Sequence, residues 1–252
     1  MDVKRCPTGV EGLDELLNGG FPYGRTVLLA GGCGTGKSIL ATQFLYNGAV
    51  KYGEPGLLVT LEQNPALIKA DMGAMGFDLE ELERNGKLII IDASLSDMVF
   101  KQPIGEYALS IKTSFSLETI LGLIEEAAKQ INAKRAVIDS FSALDTLIEA
   151  KKQHPPGAAA EDARKTMLGI NYKLQSMGLT SILVSDTDDN KTSGRYGIEE
   201  FIVDGVITMH YNVAGPDTGR HLIIKKMRAT KHGENINTIE FQQGRGVRVK
   251  GF

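Results

Sequence analysis

Gly31-Gly32-Cys33-Gly34-Thr35-Gly36-Lys37-Ser38 matches the spacing Gly-x-x-x-x-Gly-Lys-Ser/Thr. Such a loop brings successive backbone N–H groups, together with the start of a following helix, to bear on phosphate oxygens. The cradle is expected to comprise Gly32, Cys33, Gly34, Thr35, Gly36, Lys37, Ser38 and Ile39. In that geometry the Lys37 ammonium reaches the β- and γ-phosphates, and the Ser38 hydroxyl is a magnesium ligand. The bland alternative is a glycine-rich turn with an exposed lysine. Asp139 closes the apolar run Arg135-Ala136-Val137-Ile138, where a parallel sheet presents ligand groups. It is expected to hold the magnesium shell through water, the alternative being a turn former or helix cap. Glu62 closes Leu57-Leu58-Val59-Thr60-Leu61 in the same way. A carboxylate there can orient and deprotonate the water that attacks the γ-phosphorus, or it can cap the helix opening at Asn64-Pro65. Its neighbour Gln63 cannot be a base. Cys33 sits where helix-terminus amides lower a thiol pKa, although a tolerated small residue is the commoner reason for such a cysteine.

These groups need a scaffold that delivers them to one edge. Thr26-Val27-Leu28-Leu29-Ala30 leads through the glycine loop into Ile39 to Leu45, which carries helical spacing, so strand, tight loop and helix follow one another. Similar short apolar runs recur at Leu57 to Leu61, Leu88 to Ile91, Ala136 to Ile138 and Ser181 to Val184. Helix-length segments separate most of them, which predicts a parallel sheet. Leu117, Ile120, Leu121, Ile124, Ala127, Ala128 and Ile131 mark one amphipathic crossover helix, and a second spans about Glu161 to Met177. After residue 205 the pattern changes to strand candidates at Val206 to Tyr211, Leu222 to Met227, Asn237 to Phe241 and Gly246 to Lys250, joined by glycine-rich turns. The expected fold is α/β: one domain over 1–252, with a P-loop core over about 24–211 and a β-rich C-terminal part over about 212–252 that ends in antiparallel hairpins.

The chain has 252 residues, 42% hydrophobic and 6% aromatic, enough for one sizeable core and unlike a disordered chain. With 28 Lys+Arg against 31 Asp+Glu, it has no global basic field to gather nucleic acid or an anionic membrane. The apolar runs fall far short of the roughly 20 residues of a membrane span. MDVKRCPTGVEG has no apolar stretch behind its charges, so the expected location is cytoplasmic. Cys6 and Cys33 cannot build a disulfide framework, and His154, His210, His221 and His232 show no ligand spacing.

Five stretches, TGVEGLDELLNGGFPYGRTVLLAGGCGTGKS (8–38), EPGLLVTLEQNP (54–65), AVIDS (136–140), RYGIEEFIVDGVI (195–207) and KMRATKH (226–232), resemble the KaiC domain of the RecA-like ATPases. The likeness runs from about residue 7 to 248. It implies ATP and Mg2+ as ligands, hydrolysis to ADP and phosphate, and a homo-oligomeric ring, expected to be hexameric, with nucleotide at subunit interfaces. It further implies that Lys226 and Arg228 contact nucleotide bound by the next subunit, with Met227, Thr230 and His232 nearby. Alternation on a strand agrees, because it puts both cations on one face and Met227 on the other. The bland alternative is an exposed basic strand edge. The sequence departs from the family pattern in three places. KaiC has two such domains in tandem. Its first domain carries two adjacent glutamates where this chain has Glu62-Gln63, which bears on the rate of hydrolysis. Its phosphorylated Ser-Thr pair belongs to the second domain, whereas Thr192-Ser193 here lie in TDDNKTSGRYG, so autokinase and clock activity are not transferred.

The leading expectation is a slowly hydrolysing ring whose nucleotide state is read by a protein partner. A RadA-like DNA-binding recombinase is the first alternative. It would use loops at about 144–161 and 186–197. The second loop sets Asp186, Asp188 and Asp189 against Lys191 and Arg195, and the first has Lys151, Lys152, His154 and Arg164 beside Glu149, Glu161 and Asp162. Those balances are poor for a phosphate backbone. An ATP sensor without useful turnover is the second alternative, prompted by Gln63.

Overall fold

The computed structural model describes residues 3–93, 117–143, 158–187, 199–213, 218–233 and 235–250. A short antiparallel pair opens it, β1 (Arg5–Cys6) with β2 (Phe21–Pro22), around α1 (Leu13–Leu16). The following order is β3 (Thr26–Gly31), α2 (Lys37–Lys51), β4 (Gly56–Thr60), α3 (Pro65–Ala74), α4 (Leu79–Arg84) and β5 (Leu88–Asp92). Next come α5 (Leu117–Ile131), β6 (Arg135–Asp139), α6 (Ala158–Ser176), β7 (Thr180–Asp186) and α7 (Glu199–Ile202). The strands β8 (Gly205–Asn212), β9 (Gly219–Met227), β10 (Asn237–Gln242) and β11 (Gly246–Lys250) complete the order.

One sheet of nine strands runs in the order β11-β10-β9-β8-β3-β7-β6-β4-β5. The six strands from β8 to β5 are parallel, and β8, β9, β10 and β11 pair antiparallel in succession. This is the mostly parallel sheet with terminal antiparallel hairpins that the periodicity implied, and the resemblance implied a RecA-like core. Every residue of β3 and β4 is buried, as a strand covered on both faces must be. Val27 and Leu29 join the core under α2, α3 and α4, while Leu28 and Ala30 join the core under α5 and α6. α5 buries Ile120, Ile124, Ala127 and Ala128, which are four of the residues whose spacing predicted it. The second crossover helix starts at Ala158, a few residues before its expected position.

Two side chains lock the helix of the glycine loop to the sheet. Gln43 of α2 acts like a sheet residue: its amide donates to the Arg245 carbonyl at 3.0 Å and its oxygen accepts from Val247 N–H at 2.7 Å. Arg135, fully buried at the start of β6, donates to Glu54 at 2.8 Å and to the Phe44 carbonyl at 2.9 Å, and lies over the Phe44 ring at 4.5 Å. Gly48 is therefore required within α2, since any Cβ there would collide with the Arg135 side chain.

Among the described residues, no helix is long and apolar enough to cross a membrane.

Candidate functional site

The phosphate cradle forms where β3 ends and α2 begins. Gly34 and Gly36 have φ of 72° and 99°, left-handed values that favour glycine. A Cβ on Gly36 would meet the Phe241 ring, and one on Gly31 would meet the Met209 carbonyl. No side chain caps α2, and no acidic residue lies in its first turn. Its N-terminal amides and dipole thus suit an anion. Lys37 is only 7% exposed; its ammonium donates to the Gly32 carbonyl at 2.8 Å and pairs with Asp186 at 2.9 Å. Thr35 donates to the same Gly32 carbonyl at 3.0 Å. A cavity of about 310 Å³ lies between this loop and α3, lined by Gly36, Lys37, Ser38, Gln63, Ile68 and Met72 among others. That volume is at the low end for small-molecule sites, roughly 300–1,000 Å³.

Asp139 stands at the carboxyl end of β6, two strands from the loop, with β7 between. It is hydrogen-bonded to Ser38, the other residue expected at the magnesium site. Burial pushes its carboxyl up to about 6; Glu62 and Asp186 add to the rise, while Ser38 and Lys37 oppose it. Four of the predicted groups, Lys37, Ser38, Glu62 and Asp139, therefore converge on one edge. Glu62 is exposed in the turn after β4. The Thr60 hydroxyl fixes that turn by donating to the Gln63 carbonyl at 2.7 Å and accepting from Gln63 N–H at 3.2 Å. Asn64, not Glu62, caps α3, accepting from Ala66 N–H at 2.8 Å. The capping alternative for Glu62 is thereby removed.

Asp186, expected within a loop, closes β7 and pairs with Lys37. Its backbone N–H donates to Ser142 at 2.9 Å. A carboxylate directly after an apolar run is the signal that selects Asp139; here Ser185 separates the carboxylate from the run that ends at Val184. Cys33 is exposed on the loop.

Lys226, Met227 and Arg228 lie elsewhere. Gly31, the last residue of β3, pairs with Met209 of β8, and Val27 near the start of β3 pairs with Gly205, the first residue of β8. Gly205 in turn pairs with Met227. The Lys-Met-Arg segment thus stands at the amino edge of the parallel strands, opposite the cradle of the same chain. Met227 is buried, as alternation required. The Lys226 ammonium donates to the carbonyls of Glu200 and Val203, each at 2.8 Å. Burial lowers its pKa, and neighbouring Arg228 adds to this. Arg228 reaches Asp204 at 3.5 Å, and the buried Asp204 also pairs with Arg25 at 2.9 Å. Thr230 accepts from Arg5 at 2.5 Å, and His232 is hydrogen-bonded to the Gly233 carbonyl at 3.1 Å.

Of the loops weighed for DNA, Glu149, Lys151, Lys152, His154, Asp188, Asp189, Lys191 and Arg195 lie outside the described residues, as do Thr192 and Ser193.

The family model described as ATPase: KaiC matches residues 6–251. The circadian clock oscillator protein KaiC of Parathermosynechococcus lividus is 35% identical over 240 residues, covering 94% of this chain and 41% of that protein. A UPF0273 protein of Aeropyrum pernix is 36% identical over 239 residues, covering 94% of this chain and 90% of that one. The crystal structure of a KaiC-like protein from Pyrococcus horikoshii OT3 matches with a TM-score of 0.81 at 36% identity, over 99% of this chain and 100% of that chain. The chain thus spans less than half of the KaiC relative and about the whole of the archaeal KaiC-like structure. By motif, sheet order and match, the chain belongs to the KaiC family of ATPases.

Proposed function

We propose that the protein is a slowly hydrolysing Mg-ATPase that assembles as a ring, binds nucleotide between subunits and presents a nucleotide-dependent surface to a protein partner. The observation that carries the reading is the placement of its two cationic groups on opposite edges of one sheet. Lys37 stands at the carboxyl edge and Arg228 at the amino edge, so Arg228 is too far from its own cradle to touch phosphate there. A neighbouring copy can supply one Lys-Met-Arg edge to each cradle, and this head-to-tail contact forms a ring where its rotation closes.

In this reading the amides from Gly32 to Ile39 hold the phosphate tail, and Lys37 exchanges Asp186 for the β- and γ-oxygens. Ser38 and Asp139 fit a magnesium site, being hard oxygen donors in a cluster where Glu62 and Asp186 already disfavour further negative charge on Asp139. When bound, the ion would neutralise charge shared by the β- and γ-phosphates. Glu62 orients the attacking water and accepts its proton as the γ-phosphorus is attacked, leaving ADP and phosphate. Arg228 of the adjacent copy stabilises the charge on the γ-phosphoryl oxygens, and Lys226, with two of its three donors engaged, supports it. Thr230 and His232 follow on the same edge, while Gln63 beside Glu62 makes turnover slow.

Size measurement with and without Mg-ATP, alongside a turnover assay of wild type and Glu62→Gln, tests the proposal. The expected result is a nucleotide-stabilised oligomer whose turnover falls about 10²-fold or more in the variant, the scale of general-base catalysis. Background turnover in the wild type, unchanged in Glu62→Gln, would leave an ATP sensor and remove the hydrolytic role.

A further inference from the structure

Arg220, the second residue of β9, stands directly opposite Tyr211 of β8, far from the Lys-Met-Arg end of its own strand. Its Nε donates to the Gly34 carbonyl of the glycine loop at 2.9 Å. Its guanidinium lies 4.3 Å from the Tyr211 ring centroid and 5.0 Å from that of Phe241, and Phe241 is the ring that packs against Gly36. Two aromatic rings and two neighbouring strands therefore fix the direction of one N–H group aimed at the loop.

That direction matters because a peptide unit is planar and trans, so its carbonyl and its N–H point to opposite sides. Holding the Gly34 carbonyl on the Arg220 side turns the Thr35 N–H to the side away from Arg220. Gly34 benefits from such a restraint: its φ is 72°, and a Cβ built there would meet nothing within 4 Å, so the space beside its Cα is open. Glycine explores both hands of φ readily. On the other side of the loop, Lys37 and Thr35 already hold the Gly32 carbonyl. Arg220 supplies the matching restraint from the β-rich end of the chain.

We propose that Arg220 is a positioning residue of the phosphate site, fixing the Gly34–Thr35 peptide so that the Thr35 N–H faces the bound triphosphate. Arginine suits the task because its planar fork both stacks on rings and donates along a set direction, whereas an ammonium is a point charge on a flexible stem. The inference rests on the reading that this loop binds a polyphosphate tail. It assigns Arg220 no contact with base or ribose.

The test is calorimetric titration of Mg-ATP and of inorganic tripolyphosphate with magnesium into wild type, R220A and R220K, with melting temperatures recorded for each. Loss of one charge-assisted hydrogen bond should weaken both ligands in R220A by the same factor, about tenfold. R220K keeps the charge without the planar fork and should recover less than half of that loss. Unchanged affinities in R220A, even with a lower melting temperature, would reduce Arg220 to a structural role and overturn the proposal. Weakened ATP with unweakened tripolyphosphate would overturn it in favour of a base or ribose contact, and full recovery in R220K would assign the effect to charge alone. Wild type that binds neither ligand would instead refute the phosphate-site reading itself.

Discussion

Burial holds the Asp139 carboxyl at about 6, with Glu62 and Asp186 pushing the same way. An unfolded aspartate ionises near 4, so the folded chain keeps this proton more tightly. The stabilising contribution of the group is fully present below about pH 4 and is lost as pH rises through about 6. Metal-free protein should therefore lose melting temperature over that window more steeply than Asp139→Asn does. A calorimetric series in chelator from pH 4 to 7 checks this, and equal slopes would contradict the burial of the charge. Lys37, Ser38, Glu62 and Asp139 were legible in the sequence because each stands at a fixed offset from a motif or a strand end. Asp186 was not, because the apolar run before it stops at Val184 while the strand continues for two more residues. Arg220 carries no signal in its own neighbourhood: its partner Gly34 is 186 positions away.

Buried pairs between elements carry comparable weight. Arg135 has no exposed surface, and Glu54 is its acidic partner, with an ion-pair distance of 2.7 Å. Removing one member of such a pair leaves an uncompensated buried charge, at a cost of about 3–5 kcal/mol. Glu54→Ala should lower stability to denaturant by that amount, and a change under about 1 kcal/mol would contradict the pairing. The elements themselves were largely readable. Fully buried strands read as apolar runs, and α5 shows its helical stripe directly. The pair β1 and β2, two residues each, is too short to show any period. Strand order was also hidden, since β7 enters between β6 and β3 by long-range pairing that no local pattern encodes.

At the scale of the whole molecule, β9 runs from one edge of the sheet to the other. Arg220 at its start reaches the cradle of its own chain, and Arg228, just beyond its end, is the group that the proposed ring offers to a neighbour. At about 3.3 Å per residue the two guanidinium-bearing positions are roughly 26 Å apart. Antiparallel pairing with β8 makes this separation unavoidable, because β9 must run back along the full length of the strand beside β3. In the proposed ring the β-rich end serves both its own cradle and a neighbour's. A shared site of this kind predicts complementation between subunits that are inactive for different reasons. Arg228→Ala alone should lose about 10³-fold or more in turnover, the scale of an arginine finger, and Lys37→Ala should bind Mg-ATP poorly. Mixing the two variants creates interfaces with an intact cradle from one and an intact Arg228 from the other. The decisive measurement is turnover of that mixture across its full range of ratios: the account predicts activity well above either variant alone, with a maximum at intermediate ratio, and a mixture that never exceeds the weighted sum of its components would contradict it.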